Sequence, residues 1–411
     1  MEPNRTGMTR KDFLKLSATV GAGIAIGASG LGAILGVPKP KAEGGKVSAQ
    51  SDEDIVPLYA DHQPGIVTPQ QTYLYLAAFD IATGSKQDLI GMLKDWTRFA
   101  DLSAKGGTMS LGDNPLVPPT DTGETLELPP SRLTVTIGFG PSFFVRDGVD
   151  RFGIAQALPL HLKDIPRMAR ENIDKGISGG DVCLQICADD QQVAFHAIRN
   201  LIRLSTGRAS LKWMQEGFAS GKPGQTPRNL FGFKDGTANS LHDSAQGHDE
   251  VVWAGDDEPA WMRGGSYMAY RKIQMKLESW DRTSLSDQEA TFGRSKVSGA
   301  AFGAKAEFDA FDAAKLPERS HVRLAKESKQ QIHRRAYSYT DKVDPRTGNV
   351  DAGLLFISYQ RDPDRQFVPM LRLMQNNDAL NAYVSHVASA MFACPAGLRP
   401  GQYFGQRILE S

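Results

Sequence analysis

The chain is predicted to be an α+β protein made of two ferredoxin-like halves, each with an antiparallel sheet, packed together. Three observations predict it. Segments dense in β-branched and aromatic residues recur along the 411 residues, and amphipathic stretches of helical spacing follow them. A strand–helix–strand, strand–helix–strand order occurs twice. The third-strand regions also look alike: Gly180-Asp-Val-Cys-Leu-Gln-Ile-Cys-Ala-Asp189 parallels Ala352-Gly-Leu-Leu-Phe-Ile-Ser-Tyr-Gln-Arg361, and each runs into an amphipathic helix.

Residues 1 to about 50 read as a targeting segment, outside the fold. Arg5, Arg10, Lys11 and Lys15 give a basic start, and a charge-free run of small and apolar residues follows from Leu16 to Val37. Thr9-Arg-Lys-Asp-Phe-Leu-Lys15 resembles a twin-arginine signal in which Lys11 stands where the second arginine is expected. Lysine lacks the planar fork of arginine, so the departure matters to a receptor that reads the pair. The run is about 20 residues long, enough to span a bilayer, so cleaved export and retention as an N-terminal anchor are both open. Residues 38–55, rich in Lys, Gly, Ser and Glu, read as a solvated linker.

The first half is placed at 55–220. Gln71-Thr-Tyr-Leu-Tyr-Leu-Ala-Ala-Phe79 reads as a strand, and Ser85 caps a helix that starts at Lys86 and passes Trp96. Leu133-Thr-Val-Thr-Ile137 is a second strand, ending in Gly138-Phe-Gly-Pro141. Asp181 to Ala188 is a third, and Asp190 starts a helix to about Leu204. Gly221-Lys-Pro-Gly-Gln-Thr-Pro-Arg228 is the joint. The second half, 221–411, repeats the rhythm. Ser266 to Leu277 is a long strand, Ser284 opens a helix, and Gly353 to Tyr359 is a strand. A helix from about Asp364 to Met374 and a closing strand from Val384 to Phe392 complete it.

Lysine plus arginine (47) equals aspartate plus glutamate (47), so the formal net charge is zero and no nucleic-acid partner is expected. Cys183, Cys187 and Cys394 are too few and too odd in number for a disulfide framework. Alternation puts Cys183 and Cys187 on one strand face, as small apolar residues.

Three segments of the second half carry candidate chemistry. In Asn229-Leu-Phe-Gly-Phe-Lys-Asp-Gly-Thr-Ala-Asn239, Asp235-Gly236 marks a sharp turn, and Gly232 and Gly236 allow a close backbone approach. Ser320-His-Val-Arg-Leu-Ala325 offers one histidine of eight, and Gln331-Ile-His-Arg-Arg-Ala-Tyr-Ser-Tyr339 offers paired arginines. Read singly they are a turn, an ordinary histidine and a solvated face.

Taken in order, these segments and Gly138-Phe-Gly-Pro-Ser-Phe-Phe144 resemble the dye-decolourising peroxidase family, from about Ile55 to the end of the chain. Within the family the likeness is greatest to the iron-acquisition, deferrochelatase/peroxidase branch. The resemblance implies an α+β fold packed as a dimeric barrel-like unit, with haem b in the second half. It implies His321 as the proximal metal ligand, Asp235 as the distal acid and Arg334 as the distal cation. Gly236, Thr237 and Ala238 would lie against the haem, and Arg335 would be structural or face a propionate. Tyr337 and Tyr339 would either relay electrons from reductants too large for the pocket or simply pack in the core.

The implied activity is oxidation of phenols, dyes or porphyrinogens with hydrogen peroxide. The alternatives are release of iron from intact haem, with haem itself the substrate, and a haem- or iron-binding protein without turnover. The branch further implies export by the twin-arginine route to the periplasm, cell surface or medium, an iron-uptake membrane complex as partner, and a homo-oligomer, a dimer.

Overall fold

The strands arise where branched and aromatic residues run without a breaker, and their pairing gives one sheet. The computed structural model describes residues 54–112, 114–221, 224–343, 345 and 348–410. The expected targeting segment and nearly all of the linker lie outside these. In the first half, β1 (Tyr73–Ile81), β2 (Thr134–Phe139), β3 (Val182–Ala188) and β4 (Ala209–Phe218) pair antiparallel in the order β2-β3-β1-β4. Two helices connect them. Helix α1 (Lys86–Ala104) starts at the Ser85 cap and α2 (Gln191–Leu204) at Asp190, whose carboxylate accepts from the Gln192 and Val193 amides.

The second half carries β5 (Ser266–Met275), β6 (His333–Arg334), β7 (Tyr337–Val343), β8 (Val350–Gln360) and β9 (Val384–Cys394). Here β5 lies between β9 and β8, and β7 pairs with the other edge of β8. The halves join where Phe139 of β2 faces Ala393 of β9 and where Phe218 of β4 faces Ser338 of β7. Because β5 also pairs with β8, the nine-stranded sheet closes on itself and leaves few open edges. The α+β class with two antiparallel, ferredoxin-like strand sets is thus as predicted.

Alternation along the strands sorts the core. One face of β1–β3 buries Phe79, Ile137 and Leu184 against α1 and α2, with Trp96 at the centre donating to the Leu201 carbonyl (2.8 Å). The opposite faces of strands from both halves meet in a second cluster that includes Leu76, Met268, Tyr270, Leu355 and Phe392. Cys183, Cys187 and Cys394 are free thiols buried in it, the first two as the strand alternation implied.

Three readings need correction. The strand expected over Ser266–Leu277 stops at Met275, because Leu277 begins a single helical turn, Leu277–Trp280. The helix expected from Asp364 starts at Phe367, where Gln366 holds the preceding turn through its bond to the Asp362 amide (2.8 Å). Strand β4 was not foreseen: Lys212, Gln215 and Glu216 dilute its hydrophobic signal, although its burial alternates over the last residues.

Candidate active site

The second half also carries α3 (Ala245–Val251). Beside the barrel strands stand α4 (Leu285–Phe292) and α5 (His321–Glu327), with α6 (Phe367–Asn377) closing the far wall. Between them and the strands is a cavity of about 750 Å³, the size of a cofactor site. Its walls are largely apolar, with Phe231, Phe292, Leu354, Phe356, Met370 and Leu371 among them. Asp235, Gly236, Thr237, Ala238, His321 and Arg334, residues from three separate stretches of sequence, all line it.

His321 owes its position to two turns. Helix α4 ends at Gly293, whose φ of +80° is left-handed, and a Cβ there would lie 2.8 Å from the Ser320 hydroxyl. Ser320, fully buried against that glycine, is the residue from which α5 starts, so His321 is its first helical residue. The Phe292 ring stands edge-on to the imidazole, 6.0 Å between centroids. Nδ1 of His321 is 2.7 Å from Oδ2 of the buried Asp378, while Oδ1 of the same carboxylate accepts from the Leu380 amide (2.8 Å). With Nδ1 donating to a carboxylate, Nε2 carries the lone pair.

The sequence implied a partner for that imidazole without naming it. Asp378 reads locally as nothing more than a cap before Ala379–Ala382, and only the fold brings it across 57 positions to His321.

Asp235 and Arg334 form an ion pair. Gly236, at φ +105°, turns the chain sharply after Asp235, and the Asp235 amide is tied back to the Pro227 carbonyl (2.9 Å). Asn239 then clamps the turn to β6: its Nδ2 donates to the Arg334 carbonyl (2.7 Å) and its Oδ1 accepts from the Arg334 amide (2.9 Å). The guanidinium lies over the Phe356 ring, 5.4 Å from its centroid. Asn239 closes the Asp235 motif, yet nothing in its local sequence marks this task. The Thr237 hydroxyl donates to Glu307 (2.9 Å), which also pairs with Lys234 (3.2 Å).

Other expectations separate here. Arg335, next to Arg334, points the other way: it is buried, bonds to the Thr68 carbonyl and the Gln71 side chain, and does not line the cavity. Of its two readings the structural one holds. Tyr337 and Tyr339 are wholly buried, and burial pushes both phenols up, Tyr339 with help from Asp351.

The residues fit a large flat cofactor with a nitrogen-ligated metal. The imidazole lone pair, the apolar walls and a cationic group all belong to one cavity. Nε of Arg334 is moreover buried with no hydrogen-bond partner, a donor left for something else.

The comparisons agree with this architecture. Residues 63–219 match the model for the N-terminal domain of Dyp-type peroxidases, and residues 226–399 match that for the C-terminal domain. The chain therefore belongs to the Dyp-type peroxidase family. Among curated proteins it is similar to deferrochelatase of Escherichia coli, 38% identical over 90% of this chain and 91% of the other. Among solved structures it is similar to a DyP-type peroxidase of Streptomyces coelicolor (TM-score 0.80, 35% identity, covering 89% of this chain and 99% of that one). It is likewise similar to DtpA of Streptomyces lividans, described in an oxyferrous/water complex (TM-score 0.79, 36% identity, 89% and 99% covered).

Proposed function

We propose that this chain is a haem b peroxidase whose second half, 221–411, holds the haem through His321 and uses Asp235 and Arg334 to handle hydrogen peroxide. One observation carries the reading: a carboxylate-held imidazole and a carboxylate–guanidinium pair line the same apolar cavity. When bound, haem supplies a redox-active iron that takes up the oxidising equivalents of peroxide.

The protein's own groups do the rest. Asp378 accepts the Nδ1 proton of His321, fixes the ring and raises its basicity as a ligand. Asp235 takes the proton from one peroxide oxygen and returns it to the other as that oxygen leaves. Arg334 keeps its charge throughout and stabilises the negative charge that builds on the leaving oxygen. Gly236, Thr237 and Ala238 give the haem a backbone surface without bulky side chains. The reductants are phenols, dyes or porphyrinogens.

Asp235→Asn tests the reading. The variant keeps the shape and a normal Soret band but loses about 10²–10⁴-fold in peroxide-dependent turnover. Turnover at the parent rate would remove Asp235 from the mechanism. His321→Ala, by contrast, should not load haem stably.

The 38% identity to deferrochelatase supports a second reading, release of iron from haem with the porphyrin intact. Metal-free protoporphyrin formed from haem in vitro distinguishes it from peroxidase turnover. The basic, twin-arginine-like start supports export to an extracytoplasmic site and service in an iron-uptake complex. Among the described residues no helix is long and apolar enough to cross a membrane.

A further inference from the structure

We infer that His242, His248 and His333 form a second metal site, separate from the haem ligand, that takes one nitrogen-preferring divalent cation such as Zn²⁺. The three residues come from different elements. His242 ends the turn Thr237–Leu241 that follows Asp235, His248 lies on α3, and His333 begins β6 beside Arg334.

The rings face one another edge to face. Their centroids are 5.6 Å apart for His242–His333, 5.6 Å for His248–His333 and 6.4 Å for His242–His248. With metal–nitrogen bonds of about 2.0–2.1 Å, each ring centroid of a three-histidine site lies roughly 3.2 Å from the metal, which spaces the centroids about 5.2–5.5 Å apart. The observed triangle is within an ångström of that. The nitrogens themselves do not yet converge on a common point, so binding requires the rings to rotate about χ2, a soft torsion.

The donors are also idle. Both nitrogens of His242, Nε2 of His248 and Nδ1 of His333 are buried without a hydrogen-bond partner. His242 is only 3% exposed, and Gln331 approaches it without reaching hydrogen-bond geometry. Buried polar groups are rarely left so; His242 also lines the haem cavity, but His248 and His333 do not, and idle nitrogens on three adjacent rings ask for a common partner. Burial favours the neutral ring, the form that binds metal.

The backbone is built for the close approach. A Cβ on Gly247 would lie 2.7 Å from the His242 carbonyl oxygen, so only glycine lets α3 sit on that turn. The Asp243 carboxylate lies 3.8 Å from Nε2 of His248 and favours positive charge at His242, whereas Arg335 disfavours it at His333. Imidazole donors without cysteine or a bidentate carboxylate suit Zn²⁺, Cu²⁺ or Ni²⁺ rather than Mg²⁺ or Ca²⁺. A cation there staples the turn after Asp235 to the strand carrying Arg334.

The test uses haem-loaded protein without a histidine tag, stripped with a chelator and titrated calorimetrically with zinc sulfate. One equivalent should bind with micromolar or tighter affinity, and the zinc absorption edge should show imidazole scatterers. His248→Asn, on a half-exposed helix and least disruptive to the fold, should weaken that affinity at least 100-fold with the Soret band intact. His333→Leu should do the same. Absence of a stoichiometric zinc site overturns the inference, and leaves ordered water as the partner of the idle nitrogens. Equal affinity in His248→Asn and the parent overturns it too, because the zinc is then held elsewhere, for instance by His161, Asp362 and Asp364.

Discussion

At the scale of single residues, the carboxylate of Asp378 performs two tasks with its two oxygens. One caps the turn Ala379–Ala382 through the Leu380 amide and the other accepts a hydrogen bond from Nδ1 of His321. Substitutions can separate these tasks. Asp378→Asn keeps an oxygen for the cap but loses the charge facing the imidazole, so the turn should survive while the imidazole becomes less basic. Haem affinity, measured by competition with apomyoglobin, is expected to fall about 10–100-fold, the usual effect of removing such a partner. Asp378→Ala should cost as much in affinity and in addition lower stability by about 1 kcal/mol through the lost cap. Unchanged haem affinity in the asparagine variant would mean that the carboxylate only caps. Asn239 plays the matching part for Arg334: its side-chain amide imitates a strand neighbour, and so ties the ion pair to the sheet.

At the scale of elements, the site depends on junctions more than on the elements themselves. Helix α4 must stop at Gly293 in a left-handed conformation for Ser320 to pack against it and for α5 to begin at His321. Gly293→Ala places a Cβ at φ +80° and presses it against the Ser320 hydroxyl. We expect a loss of about 1–2 kcal/mol in stability, read as a lower melting temperature, together with weaker haem retention. A lower melting temperature with haem retention intact would show that the junction stabilises the fold without placing His321. These junctions also explain what the sequence could tell. Strands β1, β3 and β8 and helices α1 and α2 were legible, because each buries a continuous face whose period is written in consecutive residues. Strand β4 was not, since its polar residues hide the alternation. His321, Asp235 and Arg334 became candidates only as ordered motifs, because 99 positions separate the ion pair and no local pattern records it. Asp378 and the three-histidine cluster carried no local signal at all.

At the scale of the whole molecule, barrel closure brings groups from distant strands into the cavity wall, and this makes stability depend on pH. Arg271 of β5 pairs with Glu171, and its Nε donates to Nδ1 of His386 on the neighbouring β9 (3.2 Å). Burial, and then the positive charge of Arg271, push His386 down from the ordinary 6.5 to about 3. Its neutral form is therefore the native one. Between pH 6.5 and about 3 the unfolded chain binds a proton at this position that the folded chain refuses, so stability falls as pH is lowered through that window. Above 6.5 this residue adds no pH dependence, and below about 3 its contribution levels off. The slope it supplies is at most about 1.4 kcal/mol per pH unit. Glutamine can accept the same hydrogen bond from Arg271 and does not titrate. Urea denaturation of the haem-loaded protein between pH 4.5 and 7 should therefore show a shallower acid loss for His386→Gln than for the parent, with the two curves converging near pH 7. Because His386 lines the haem cavity, haem release is followed in parallel through the Soret band, and the difference between the curves at equal haem occupancy isolates His386. Parallel curves would mean that the imidazole becomes protonated inside the folded barrel, with Glu171 turning from Arg271 to balance it.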